Sequence, residues 1–288
     1  MDFIIDAINE WIKTMLVDGI MGNLTGLFDT INSEVSRIAG QVGTTPSAWN
    51  GGVFSLIQNL SDTVIMPIAG MILTFIMCHE LIQMIIEKNN MNDFPPSDVF
   101  KWIFKTVIAI SIVTNTFPII MAIFDVAQSV VSSAGGVILT DTTIGVDTLD
   151  SLETSLTAMD IGPLLGLFIQ SFLFGLIMWV LSVCIFVIVY GRMLEIYLMV
   201  SLGAIPLATF GNKEWSSMGQ NYIKSICALA FQGFLIMVCI GIYAVLIQSI
   251  ATDGDPIGAI WTCIMYTVLL CFTLFKTGTM SKQIFNAH

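Results

Sequence analysis

Long apolar stretches dominate the chain, and the places where they are interrupted decide its architecture. Five segments approach or exceed the ~20 residues that span ~30 Å of hydrocarbon as a helix. They cover 53–86, 103–127, 161–191, 223–251 and 256–276. The first has a charge-free centre from Thr63 to Cys78 and contains Pro67; the second contains Pro118. Each proline removes a helical N–H and predicts a kink. The third carries no charged residue over its whole length. A further apolar run, 196–211, is short for a crossing and holds Gly203 and Pro206. It predicts a re-entrant or interfacial hairpin that enters and leaves on one face. Irregular backbone at membrane depth is tolerated only where protein or a wet cavity covers it, so the hairpin is expected inside an assembly. The alternative is a sixth true span, which would move the C-terminus to the other side.

Residues 1–50 follow a different pattern. Ile4, Ile8, Trp11, Ile12, Met15 and Leu16 share one helical face, with Asp2, Asp6, Glu10 and Lys13 on another. Met21, Leu24, Phe28, Ile31 and Val35 form a second set, and Gly19, Gly22 and Gly26 loosen the join. The pattern predicts two amphipathic helices, about 1–18 and 20–38. Their polar faces are acidic, which argues against adsorption to anionic lipid. They are expected to lie against protein, or at the outer interface with Trp11 and Trp49 as anchors. TTPSAWNGG, 44–52, reads as the linker into the first span. The loop 128–160 reads as solvated, with one short helix marked by Leu149, Leu152, Leu156 and Met159.

Composition turns these segments into a class. The chain has 288 residues, of which 56% are hydrophobic and 11% charged, and its mean hydropathy is +0.87. An ordinary soluble domain carries roughly 25% charged residues. The fold class is therefore an all-α integral membrane protein. It has five transmembrane helices, the hairpin and an amphipathic helical tail at 1–50.

Charge then gives orientation. Lys88, Lys101 and Lys105 flank the connection between the first two spans; Arg192, Lys213 and Lys224 flank the third connection; Lys276 and Lys282 follow the last span. The loop 128–160 has no Lys or Arg but carries Asp141, Asp147, Asp150, Glu153 and Asp160, and Asp253 and Asp255 follow the fourth span. Basic residues mark the cytoplasmic side. The N-terminus is thus expected outside and the C-terminus inside the cell membrane. The start MDFIIDAINEWIK lacks the basic opening of a signal peptide. The net charge is −11 and the ten basic residues are scattered, which argues against sustained DNA binding by this subunit alone.

Candidate chemistry is sparse. Arg192 and Glu195 follow the long uncharged run and can meet at i, i+3 on one helix face. They read as an interfacial pair or as a polar contact lining a pathway. His79 and Glu80 sit near the inner end of the first span, where a proton relay competes with simple hydration. Asp62 and Asp125 are similar cases near the outer ends of their spans. Gly162 and Gly166 form a GxxxG pattern weakened by Pro163. Six cysteines lie in apolar segments without a CxxC spacing, and the histidines are His79 and His288, so no metal or cofactor is expected. Seventeen methionines suit adaptable packing. No phosphate loop, metalloprotease or nucleophile motif occurs, and the reading is of a non-enzyme.

The run EIYLMVSLGAIPLATF, residues 195–210, resembles the signature region of the TrbL-like polytopic membrane subunits of type IV secretion systems. The form is the one seen in conjugative elements of Gram-positive bacteria. The resemblance implies a structural channel or scaffold subunit of a conjugation apparatus, oligomeric, assembling in the bilayer with ATPases and other secretion-system subunits. It implies a single-stranded DNA–relaxase substrate that passes without tight binding. Arg192, Glu195, Gly203, Pro206, His79 and Glu80 are then candidate pathway or assembly residues. The competing class is a secondary transporter or transporter permease. Against it stand the single interrupted segment and the odd number of spans.

Overall fold

The computed structural model describes residues 2–87, 96–138, 146–212, 214–250 and 256–287. Lys88, Asp141, Lys213, Asp253, Asp255 and His288 lie outside the described residues. Every regular element among the described residues is helical. In chain order these are α1 (Asp2–Val42), α2 (Pro46–Trp49), α3 (Gly51–Leu60), a π-turn (Ser61–Ile65), α4 (Met66–Glu87), α5 (Pro96–Thr114) and α6 (Thr116–Ile138). They continue with α7 (Val146–Thr157), α8 (Ile161–Ser201), α9 (Ala204–Ala208), a 3-10 turn (Thr209–Gly211), α10 (Ser216–Ile250) and α11 (Pro256–Ile284).

Among the described residues, five helical stretches are long and apolar enough to cross a membrane: Gly51–Ile86, Thr116–Gly136, Ile161–Ser201, Ser216–Ser249 and Trp261–Ile284. The chain is an all-α, multi-pass integral membrane protein. The prolines act where the sequence places them. The π-turn ends just before Pro67, and Met66 N–H donates to the Ser61 carbonyl, five residues back. Pro118 cannot donate to the Thr114 carbonyl, and α5 gives way to α6 at Asn115. The Asn115 amide side chain bonds the Ser111 carbonyl at 2.8 Å there.

The chain divides into two compact units. The first comprises 1–42, 133–189 and 236–276. Its α1 is one continuous helix of 41 residues, where the glycines suggested two. Val17, Ile20, Leu24, Leu27, Ile31, Val35, Ile38 and Val42 are all buried. They recur at three- and four-residue steps, the spacing of a coiled-coil seam. Packing along that seam outweighs the roughly 1 kcal/mol by which each glycine disfavours a helix. Gly19 is a contact point rather than a break: a Cβ there would lie 2.6 Å from the Phe168 ring on α8. Leu152 and Leu156 of α7 are buried, and α7 packs on α1. Polar links supplement the seam. Asn23 donates to Ser171 Oγ at 2.9 Å, and Arg37 sits 5.7 Å from the Phe186 ring centre while bonding Glu34. Tyr243 and Thr267 share a buried hydrogen bond of 2.8 Å.

The second unit comprises 43–132, 190–235 and 277–288. The linker forms the start of it. Thr45 caps α2 through the Ala48 N–H, and Asn50 caps α3 by accepting from Gly52 and Val53 N–H. Tyr197 Oη donates to the Pro46 carbonyl at 2.6 Å, and the Trp49 ring lies 5.7 Å from Tyr190 and 5.9 Å from Tyr197. One apolar cluster joins Phe117, Ile120 and Phe124 of α6 to Met193, Ile196 and Val200 of α8, Leu207 of α9 and Ile226 and Leu229 of α10. A second joins Ala69, Leu73, Ile76 and Met77 of α4 to Ala109 and Val113 of α5 and to Ala204 and Ala208 of α9. The short helix α9 thus belongs to both.

Candidate functional site

The interrupted segment predicted at 196–211 is where the second unit is most tightly built. Helix α8 continues to Ser201, and the chain then tightens rather than reversing. Pro206 has no N–H to offer the Leu202 carbonyl, and the Ile205 N–H bonds that carbonyl instead at 3.2 Å. The Gly203 N–H likewise bonds the Val200 carbonyl at 3.2 Å. Gly203 keeps ordinary right-handed helical dihedrals, φ −58° and ψ −31°, so its backbone does not require glycine. Space does. A Cβ at 203 would fall 2.5 Å from Ile120 Cδ1 and 2.5 Å from Tyr222 Oη.

From Ala204 to Asn212 the chain is almost wholly inside protein. Ala204, Leu207, Ala208, Thr209, Gly211 and Asn212 are buried. A Cβ on Gly211 would collide with Met77, and one on Gly219 would lie 2.8 Å from the Pro206 carbonyl. Thr209 Oγ1 donates to the Pro206 carbonyl at 2.7 Å and accepts the Gly219 N–H at 3.2 Å. Tyr222 Oη donates to the Met199 carbonyl at 2.8 Å, near the end of α8. The reversal into α10 comes at Asn212, whose Oδ1 accepts the Glu214 N–H at 2.7 Å. Five residues of helix and a 3-10 turn are far too short to cross ~30 Å of hydrocarbon.

The polar candidates fall into two groups. Arg192 is buried, at 7% exposure. Its Nη2 donates to the Ala230 carbonyl of α10 at 3.3 Å, and its Nε has no partner. Glu195, one turn on, accepts instead from Lys282 Nζ of α11 at 3.1 Å, on a half-exposed surface. No Arg192–Glu195 hydrogen bond is among the described contacts; Glu195 acts on Arg192 electrostatically, while the hydrogen-bond partners of the two lie 38 and 87 residues away. Nearby on α10, Gln232 Nε2 donates to Thr277 Oγ1 at 3.3 Å, and Ala228 offers its carbonyl to Ser281 Oγ. Gly278 leaves room for Gln232: a Cβ there would lie 3.3 Å from Gln232 Nε2.

His79 and Glu80 point to different neighbours. The His79 ring stacks on Phe75 at 6.4 Å, and Phe75 lies 6.2 Å from Trp215. Glu80 Oε1 accepts a hydrogen bond from Lys105 Nζ of α5, while Oε2 is buried without a partner. Trp102 of α5 donates its indole N–H to the Met77 carbonyl at 3.2 Å and fixes α5 against α4 beside that pair. No His79–Glu80 hydrogen bond is among the described contacts.

Several residues of this region were not legible from the sequence. Tyr222, Gly219, Thr209 and Lys282 meet their partners only through tertiary folding. No metal-binding cluster of three or more His, Cys, Asp or Glu occurs among the described residues.

No curated protein and no solved structure matches the chain. A family described as TrbL/VirB6 plasmid conjugal transfer like protein matches residues 31–204. The match runs from the seam of α1 to the first residue of α9, and so includes Arg192, Glu195 and Gly203. It covers more than half of the sequence, and the chain belongs to the TrbL/VirB6 plasmid conjugal transfer-like family.

Proposed function

We propose that the chain is a structural channel or scaffold subunit of a conjugative type IV secretion apparatus. It works in the cytoplasmic membrane as an oligomer, with its N-terminus outside and its C-terminus in the cytoplasm. The observation that carries this reading is the family match over 31–204. Physical features support it. The protein presents broad apolar faces: Phe172, Trp179, Leu198 and Phe272 are each about two-thirds exposed or more. Such faces suit lipid or neighbouring subunits. The tightly stitched segment 203–212 supplies a rigid element, as a scaffold needs, rather than a solute pocket. In this reading ATPases provide the energy, and a single-stranded DNA–relaxase substrate passes through the assembly without lasting contact with this chain.

The test is transfer frequency in a strain lacking the gene, with complementation by the full chain. Loss of transfer and its recovery on complementation are expected. Unaltered transfer in the deletion strain would end the secretion reading and leave the permease reading in its place. Native mass measurement of the protein extracted from membranes addresses assembly separately, and a strict monomer would contradict the oligomer.

A further inference from the structure

Two cations in the second unit lie within reach of one carboxylate. Glu195 is bonded to Lys282 at 3.1 Å, and both side chains are about half exposed. Arg192 stands three residues before Glu195 on the same helix, a spacing that lets side chains meet without backbone movement. It is buried, holds one long hydrogen bond to a carbonyl, and leaves Nε unpaired. A buried guanidinium without a hydrogen-bonded counter-charge is costly, and a carboxylate one turn away is the simplest remedy. Here Glu195 acts on the guanidinium electrostatically, but its hydrogen bond goes to Lys282.

The consequence falls on the end of α11. Residues 277–285 are held to α10 by neutral contacts: Thr277 to Gln232, Ser281 to the Ala228 carbonyl, and Phe285 on Phe231 at 5.5 Å. The Lys282–Glu195 bond is the described ion pair that ties this end to α8. We propose that Glu195 is a shared partner that exchanges between Lys282 and Arg192. Bound to Lys282, it latches the end of α11 onto the unit. Bound to Arg192, it neutralises the buried cation and releases that end. The exchange requires a rotamer change at Glu195 and no movement of α8. The device stands apart from the secretion reading and would operate in any assembly of this chain.

Competition predicts opposite signs for the two cations, which a merely structural role for Arg192 does not. Ser281→Cys in the full chain provides the reporter, since position 281 is 1% exposed and labels only when the end lifts. Maleimide labelling in native membranes, read by peptide mass spectrometry, separates that thiol from the six native cysteines. Lys282→Gln and Glu195→Gln should speed labelling by about two- to five-fold, the range of an exposed ion pair. Arg192→Met should slow it by a similar factor, because Glu195 then has one suitor. In the Lys282→Gln background, Arg192→Met should change nothing further. Faster or unchanged labelling in Arg192→Met would overturn the exchange. Should Arg192→Met fail to reach the membrane, Lys282→Arg decides: slower labelling supports the exchange, and unchanged or faster labelling refutes it.

Discussion

Gly203→Ala adds one methyl group at a crowded point of the second unit, and its cost can be built from the contacts. The glycine already has helical dihedrals, so alanine brings no backbone strain. Taken alone, the change would stabilise by about 0.4–1 kcal/mol, by restricting the unfolded chain. Against this, the new Cβ would sit 2.5 Å from Ile120 Cδ1 and 2.5 Å from Tyr222 Oη, with Thr116 Cγ2 at 3.2 Å. Overpacking of this kind costs about 1–3 kcal/mol. Displacing Tyr222 also weakens its bond to the Met199 carbonyl, worth about 0.5–1.5 kcal/mol. The net expectation is a loss of about 0.5–4 kcal/mol. The assay is thermal inactivation of the detergent-solubilised protein, followed by retention of the monodisperse chromatographic peak. Gly166→Ala is the control, because a Cβ there meets nothing within 4 Å; it should be neutral or mildly stabilising. Tyr222→Phe removes one of the two closest atoms, so the penalty of Gly203→Ala should shrink in that background. Equal effects of Gly203→Ala and Gly166→Ala, or an undiminished penalty beside Phe at 222, would refute the steric account.

Other outcomes follow from single contacts. Tyr197→Phe removes the donor to the Pro46 carbonyl and should destabilise by about 1–2 kcal/mol, measured by the same inactivation assay. Trp49→Ala removes both ring contacts of the linker and should cost about 2–3 kcal/mol, with increased proteolysis between α1 and α3 as an independent readout. Lys105→Met breaks a partly exposed ion pair with Glu80 and should cost about 1 kcal/mol or less, with a smaller effect at high salt. Gly19→Ala should disturb the first unit by forcing the Phe168 ring aside, at about 1–2 kcal/mol, whereas Gly22→Ala, with open space around it, should not destabilise.

Local chemistry was readable from the sequence, and long-range pairing was not. Pro67, Pro118 and Pro206 mark irregular backbone because a missing N–H acts within four residues of itself. The apolar runs mark crossings because length and hydropathy are local sums. The glycines of α1 misled for a related reason. Gly19 has the same signature whether it breaks a helix or admits a neighbouring ring, and only the position of Phe168 separates the two. Arg192 and Glu195 look like a pair on a helical wheel, yet each hydrogen-bonds a different partner. Carbonyl 230 and Lys282 are brought there by the packing of α10 and α11, which leaves no mark near residue 192. The α1 seam was partly visible, since Leu24, Phe28, Ile31 and Val35 were already in register. Its extension to Val42 and its partner α7 were not.

The uncharged stretch of α8 has a consequence for the lipid around it. From 161 to 191 it comprises 31 residues, a rod of about 46 Å at 1.5 Å per residue. Hydrocarbon of ~30 Å cannot contain that rod upright, and a 40° lean, the upper end of observed tilts, still uses about 35 Å along the bilayer normal. The surplus must be met by local thickening of the bilayer or by cover from adjoining polypeptide. Thick-chain lipids should therefore relax this helix, and thin ones should push its subunits to cluster.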